Sequence, residues 1–424
     1  ALIDSTGEDN WQNFILINNP CNQKASGYLL FYSGNGLVKK VPLTVNANSR
    51  KSILIDSFLD FLGVATKVQL NQPVMAERAT YFALGNNQEV SGGRGIWGKA
   101  LSKRWLFSEG STKDSFRSWF LLFNPNSVPA NVTAYFYKNG QKITKQLSLP
   151  AYSRREVFAN NVAGLANSEF ATEIVADQPI AAERAMYFIY AGKNGGHSSV
   201  GTPRAFYNWH FAEGYINPNY ENYLMLFNPT DYPNSVSLVF FHEKGVINKT
   251  YMLNPKTSLR LKLNDILPEG AFSTKISGSV KLVAERSIYF NSNGTVGGNN
   301  TIGVASPGQN WFFAEGATYN SFVQFLALSN PNPIAGTVTI RYILPTGQSL
   351  KQTVNVQPAS RATVLLNNFI GANKEFGLQI TSSVPVVPER VSYFHDGSNS
   401  GGEVTVGTKK AYYNWYFPEG YTGP

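Results

Sequence analysis

Three unrelated marks recur along this chain of 424 residues at almost the same interval, and this repetition limits what it can fold into more than any other feature. Asn-Pro closes an apolar run in FILINNP, FLLFNP, YLMLFNP and FLALSNP, with the proline at Pro20, Pro125, Pro229 and Pro331. Glu-Arg followed by an aromatic pair stands in MAERATYF, AAERAMYF, VAERSIYF and VPERVSYF, with the arginine at Arg78, Arg184, Arg286 and Arg390. Trp-x-Phe-x-Glu-Gly begins at Trp105, Trp209, Trp311 and Trp415. By every mark successive copies lie 102 to 106 residues apart, so the chain is four copies of one unit.

Within a unit the apolar period is two. Val338, Ile340, Tyr342 and Leu344 alternate with other residues in TVTIRYILPTG, as in half-buried strands and not as in helices. Asn139-Gly140, Lys244-Gly245 and Thr346-Gly347 end the same strand in three copies and mark hairpins. Helical pieces are limited to single turns such as NNVAGLAN and NNFIGANK. The expected fold class is all-β, with four tandem antiparallel β-sandwich domains of the immunoglobulin-like kind, about 104 residues each. Their bounds are 1–110, 111–214, 215–316 and 317–424. Few residues separate each Glu-Gly from the next strand, which predicts a semi-rigid rod of four beads.

Composition narrows the function classes. The net charge of +9 is spread over the units as +3, +3, +1 and +2. Nucleic-acid readers concentrate their basic residues on one patch or helix, so no nucleic-acid partner is expected, only a weak attraction to acidic polysaccharide or an anionic cell surface. Cys21 is alone and excludes an intrachain disulfide. No run of 18 apolar residues occurs, so membrane insertion is not expected. The chain begins at Ala1 without a basic-then-apolar leader, which reads as a processed end.

Taken together, the Asn-Pro mark, Ser153-Arg154 and Ser360-Arg361, QPIAAERAMYF, the Gly-rich turn GKNGGHSSVG and NWHFAEG resemble the tandem β-sandwich repeats of secreted bacterial cell-surface proteins. The resemblance covers essentially the whole chain. It implies an extracellular, cell-surface location and a structural or adhesive role, with no catalytic residues to carry over. The third copy departs from it, having Ser258-Leu259-Arg260 in place of Ser-Arg.

Chemical motifs are few. GGRGIWGKA at 92–100 has the glycine and lysine spacing of a phosphate loop, but Ala100 replaces the required Ser or Thr and no helix follows, so it reads as a Gly-rich hairpin tip. His197, His210, His242 and His395 fall at unrelated repeat positions without metal-ligand spacing. The loop from Asp396 to Glu403 has oxygen ligands for calcium, but its counterparts in other copies lack the carboxylates. No nucleophile, base and acid set recurs or clusters. Expected are no enzyme activity, no cofactor and no metal.

The Glu-Arg pairs lie in otherwise apolar strands, where adjacent residues point to opposite faces, so one member of each pair is expected to turn inward or toward a joint. A buried charge needs a partner. The expected ion pairs join Arg78, Arg184, Arg286 and Arg390 to the glutamates of the Glu-Gly marks, Glu109, Glu213, Glu315 and Glu419, and set the angle between consecutive domains.

The ends are out of phase with the repeat. Leu2 aligns with Phe107, so the first unit owns no upstream Trp-x-Phe strand, while the fourth ends with one. If that strand belongs to the sandwich that follows it, one end has a vacancy and the other a spare strand. Strand donation between copies would then give a head-to-tail surface filament, pilus-like, or a surface layer, a homopolymer. Its expected interface is Trp415, Tyr416, Phe417 and Glu419 of one copy against Leu2, Ile3, Trp11 and Phe14 of another. The alternative places the strand in the preceding sandwich and leaves a monomeric surface adhesin or carbohydrate-binding module.

Overall fold

The computed structural model describes residues 10–59, 63–84, 90–292, 294–319, 322–396 and 399–422. Strands dominate, and helix among the described residues is confined to short turns at Ala159–Asn161, Leu263–Asp265 and Asn367–Ile370. The four antiparallel sandwiches expected from the periodicity are present.

The second unit illustrates the plan. Arg117–Asn124, Ala130–Lys138, Gln141–Leu149 and Ser153–Phe158 are followed by a long strand of 20 residues, Ala171–Tyr190, and then by Lys193–Ser199. The long strand serves both layers. Its first part pairs with Ala130–Lys138, and its second part with Arg117–Asn124 and Lys193–Ser199. Gln141–Leu149 and Ser153–Phe158 form the outer edges. Register breaks between Val175 and Ile180, around Pro179, which has no N–H to give to a ladder. The long strands of the other units, Ala65–Leu84, Gly270–Ser292 and Gly377–Asp396, take the same place in their sheets.

The Asn-Pro mark has a structural use. The buried Nδ2 of Asn124 donates to the carbonyls of Val128, Leu149 and Pro150, at 2.8, 3.1 and 3.0 Å. Asn19, Asn228 and Asn330 make the same kind of clamp in their units. One side chain thereby satisfies main-chain acceptors at two strand connections, groups that would otherwise be costly to bury.

The strand carrying Trp-x-Phe belongs to the sandwich after it. Ser102–Phe107 pairs with the long strand of the second unit, Phe206–Phe211 with that of the third, and Gly308–Phe313 with that of the fourth. In each, the buried indole donates to the same point of the long strand, at the carbonyl of Ile180, Leu282 or Val386. In space, each sandwich therefore starts ahead of the cuts after Gly110, Gly214 and Gly316.

The fourth copy of this leading strand, Tyr412–Phe417, pairs with Ala65–Leu84 of the first unit of the same chain. Trp415 Nε1 donates to the Val74 carbonyl at 2.8 Å, completing the set. This corrects two expectations. The chain is a closed ring of four units and not a rod, and Trp415, Tyr416 and Phe417 fill the vacancy in their own first unit and not one in another copy. Each unit meets the next through equivalent contacts, so the same step applied at every joint brings the ends together. Once there, the tail is tethered beside its receptor at an effective concentration that a separate copy does not match.

Candidate functional site: the joints between units

Both members of every Glu-Arg pair are buried, where one had been expected to turn inward. Glu77, Arg78, Glu183, Arg184, Glu285, Glu389 and Arg390 are wholly enclosed, and Arg286 nearly so. Because successive strand residues point to opposite faces, Glu183 meets the preceding unit and Arg184 the following one. Arg78 donates to Glu183 at 2.6 Å, Arg184 to Glu285 at 2.7 Å and Arg286 to Glu389 at 2.7 Å. Arg390 donates to Glu77 at 3.2 Å, and the circuit is complete. The glutamate beside each arginine as partner to the previous arginine was not foreseen, although its presence in all four copies was the available signal.

The expected pairs with the Glu-Gly marks are also within reach in three copies. Arg78 lies 2.7 Å from Glu419 and Arg184 2.8 Å from Glu109, and Arg390 pairs with Glu315. Arg286 instead takes the main-chain carbonyl of Glu213, whose carboxylate pairs with Arg361. Each guanidinium thus bridges its own leading strand and the next unit. Such pairs leave little slack in the joint, because an unpaired partner would remain as a buried charge.

Carboxylates outnumber guanidinium groups in this circuit, and burial acts on the excess. Burial pushes Glu77 and Glu183 up to about 7, against the pull of Arg390 and Arg78 respectively. Burial likewise raises Glu285. Glu403 sits 2.6 Å from Arg390, and burial with the neighbouring Glu315 carboxylate pushes it far above the usual range. Burial also works against ionised Glu315, yet Arg390 and the hydrogen bonds from Glu403 and Tyr81 hold it below its ordinary value. In the pair, Glu403 keeps the proton and Glu315 the charge.

A second set of arms crosses each joint. Arg50 Nε donates to the Ala314 carbonyl at 2.9 Å and its guanidinium pairs with Glu375; Arg361 Nε donates to the Ala212 carbonyl at 2.8 Å. Arg154 Nε donates to the Pro418 carbonyl at 2.9 Å. In the third unit Arg260, displaced along its strand, still reaches back to Glu169 of the second.

At the ring's centre the strands Val90–Trp97, Lys193–Ser199, Thr295–Ile302 and Asn399–Val406 pack side by side. The first six residues of GGRGIWGKA therefore lie in the strand Val90–Trp97, paired to Ala65–Leu84, and not in a hairpin tip. The glycines make room for aromatic rings of the preceding unit. A β-carbon on Gly298 would lie 2.7 Å from Phe188, and one on Gly402 2.8 Å from Phe290.

Of the expected interface residues, Leu2 and Ile3 lie outside the described residues. Trp11 does meet the C-terminal segment, its ring 4.9 Å from that of Tyr421. Phe14 packs against Tyr81 at 6.1 Å. Tyr416 lies under Lys67 Nζ, with Phe123 of the second unit beside it. His210 is buried in its joint and thereby pulled down to about 4. No group of three or more His, Cys, Asp or Glu able to hold a metal occurs among the described residues, and no helix there is long and apolar enough to cross a membrane. Tyr207 and Tyr413, each two residues before its tryptophan, are 51% and 54% exposed at equivalent places on the surface.

No family model and no curated protein matches the chain. Among solved structures, it is similar over 24% of its length to Thermotoga maritima 1070, covering 94% of that chain at 18% identity with a TM-score of 0.24. Over 20% of its length it is similar to the Anabaena sensory rhodopsin transducer, covering 83% of that chain at 21% identity with a TM-score of 0.18. A tetra-tandem repeat in the extending region of a large adhesion protein matches over 94% of this chain and 93% of that one, at 12% identity with a TM-score of 0.12.

Proposed function

We propose that this chain is a non-enzymatic binding module of the cell surface, acting as a monomeric, self-closed adhesin. The observation that carries the reading is the pairing of Tyr412–Phe417 with the first unit of its own chain, which occupies the strand that would otherwise recruit another copy. Closure through buried ion pairs makes the ring a stiff frame, and a stiff frame holds surface groups for a ligand at low entropic cost. The exposed Tyr207 and Tyr413 supply aromatic surface at repeated positions, suited to stacking on sugar rings. The thinly spread positive charge favours acidic polysaccharide of a cell envelope. Light scattering of the purified chain, followed by a glycan-binding screen, tests this. A particle of 46.7 kDa that retains cell-surface polysaccharide supports it. Concentration-dependent polymers, or a monomer indifferent to every glycan, would contradict it.

A further inference from the structure

Arg50, Arg154 and Arg361 are equivalent by position, and Arg260, two residues further along its strand, reaches across its joint in the same way, but the partners differ. Arg50 pairs with Glu375, Arg260 with Glu169 and Arg361 with Glu213, each across a joint. At the joint between the first two units, the place corresponding to Glu169 and Glu375 is Gly63. The main-chain bonds fix this equivalence: Val64 donates to Gly420 as Phe170 does to Gly110 and Phe376 to Gly316. Arg154 is kept there without the carboxylate. Its side chain is only 11% exposed, its Nε is held by Pro418, and its Nη2 is 3.5 Å from the outward-lying Glu156 of its own strand. A β-carbon on Gly63 would fall 2.9 Å from Nη1, so the guanidinium itself packs into the space that a side chain there would take. Nη1 makes no hydrogen bond among the described residues.

This arginine lines an open cleft together with Trp11, Trp119, Tyr187, Tyr421 and Glu156. Trp119 is fixed by stacking on Phe158 at 4.3 Å and Tyr187 edge-on at 5.5 Å, so the walls are preorganised. Glu419, on another wall, is already paired with Arg78. We infer that this cleft is a saccharide site for a uronate residue, a sugar ring bearing a carboxylate. The guanidinium takes the carboxylate that Gly63 does not supply, Glu156 accepts from a ring hydroxyl, and the aromatic walls take the apolar face of the ring. The inference rests on the binding-module reading above and adds the place and the ligand class.

Calorimetry with an oligogalacturonate and a neutral cello-oligosaccharide of equal length tests it, using the intact chain, Arg154→Gln, Arg154→Lys and Arg361→Gln, each checked for an unchanged melting profile. The intact chain is expected to prefer the uronate. Arg154→Gln should lose roughly tenfold or more in affinity, the scale of a charge-assisted bond. Arg154→Lys keeps the charge and stem but loses the planar fork, so it should also lose affinity and settles the matter if the glutamine variant does not fold. Arg361→Gln should bind like the intact chain. Uronate binding that ignores both Arg154 variants, or binding of the neutral oligomer alone, overturns this site and leaves the adhesin reading standing. No binding of either sugar overturns the site, and failure across a full glycan screen overturns the adhesin reading with it.

Discussion

Arg390 in the fourth unit donates to Glu77 in the first at 3.2 Å, across a sequence separation of 313 residues. The same bond joins each earlier arginine to the glutamate of the unit after it, so the contact between the chain's two extremes is one member of a repeating set. Closure therefore uses contacts already present at the other joints.

Truncating the closing strand is expected to open the ring. Trp415 and Phe417 are 2% and 1% exposed in the first unit. Trp415→Ala should cost about 3–5 kcal/mol of stability, the range for a buried tryptophan. Deleting residues 412–422 should leave the long strand of the first unit with an unpaired edge and convert the monomer into aggregating species, followed by denaturant titration and light scattering.

Removing one charge from a joint should hurt more than removing the pair. Arg184→Met leaves Glu109 and Glu285 enclosed without their cation and should destabilise by about 3–5 kcal/mol. Exchanging Arg184, Glu285 and Glu109 together for apolar residues of similar volume should recover most of that loss, read in the same urea titration.

The joints also set a pH dependence. Glu77 and Glu183, held near 7 when folded against an ordinary value of 4.5, bind protons in the folded state that the unfolded chain has released. Their contribution is full below about 4.5 and is lost as pH rises through about 7, and Glu285 and Glu403 act in the same direction. His210, pulled down to about 4 from 6.5, opposes them over the lower part of that range. The melting temperature should therefore fall between pH 5 and pH 8, and the slope should flatten in Glu77→Gln and Glu183→Gln. A rise over that interval would contradict the assignment.

Side chains on the central glycines should push the units apart. In Gly298→Ala the new carbon would meet Phe188 at 2.7 Å and Tyr289 at 2.7 Å. Overpacking of this kind costs roughly 1–3 kcal/mol. Gly140→Ala, in a turn with open space around it, meets no such contact, so only the strain of its φ of +78° remains.

Much of this was legible in the chain itself. The period of two and the turn dipeptides set the strands, and the three marks set the copy number. The charges in apolar strands pointed to paired, buried groups at joints. What the repeat could not reveal is the rotation from one unit to the next, because equal spacing along a chain fits a straight rod and a closed ring alike. The Gly-rich segments were obscure for a related reason. Glycine reads locally as a turn, and only Phe188 and Phe290 from neighbouring units show why those strands carry no side chains there. The Asn-Pro clamp was visible as a mark without a role, since its acceptors lie on connections at some distance in sequence.

The most direct test of closure is a disulfide between Lys67→Cys and Tyr416→Cys, with Cys21→Ser removing the native thiol. The two positions are opposed partners in neighbouring strands, at the separation such a bond accepts. Oxidation of dilute protein should give a bond within one chain and a species that remains at 46.7 kDa under denaturing conditions. Ladders of dimers and higher species, growing with concentration, would show that the strand closes a neighbour and would contradict the ring.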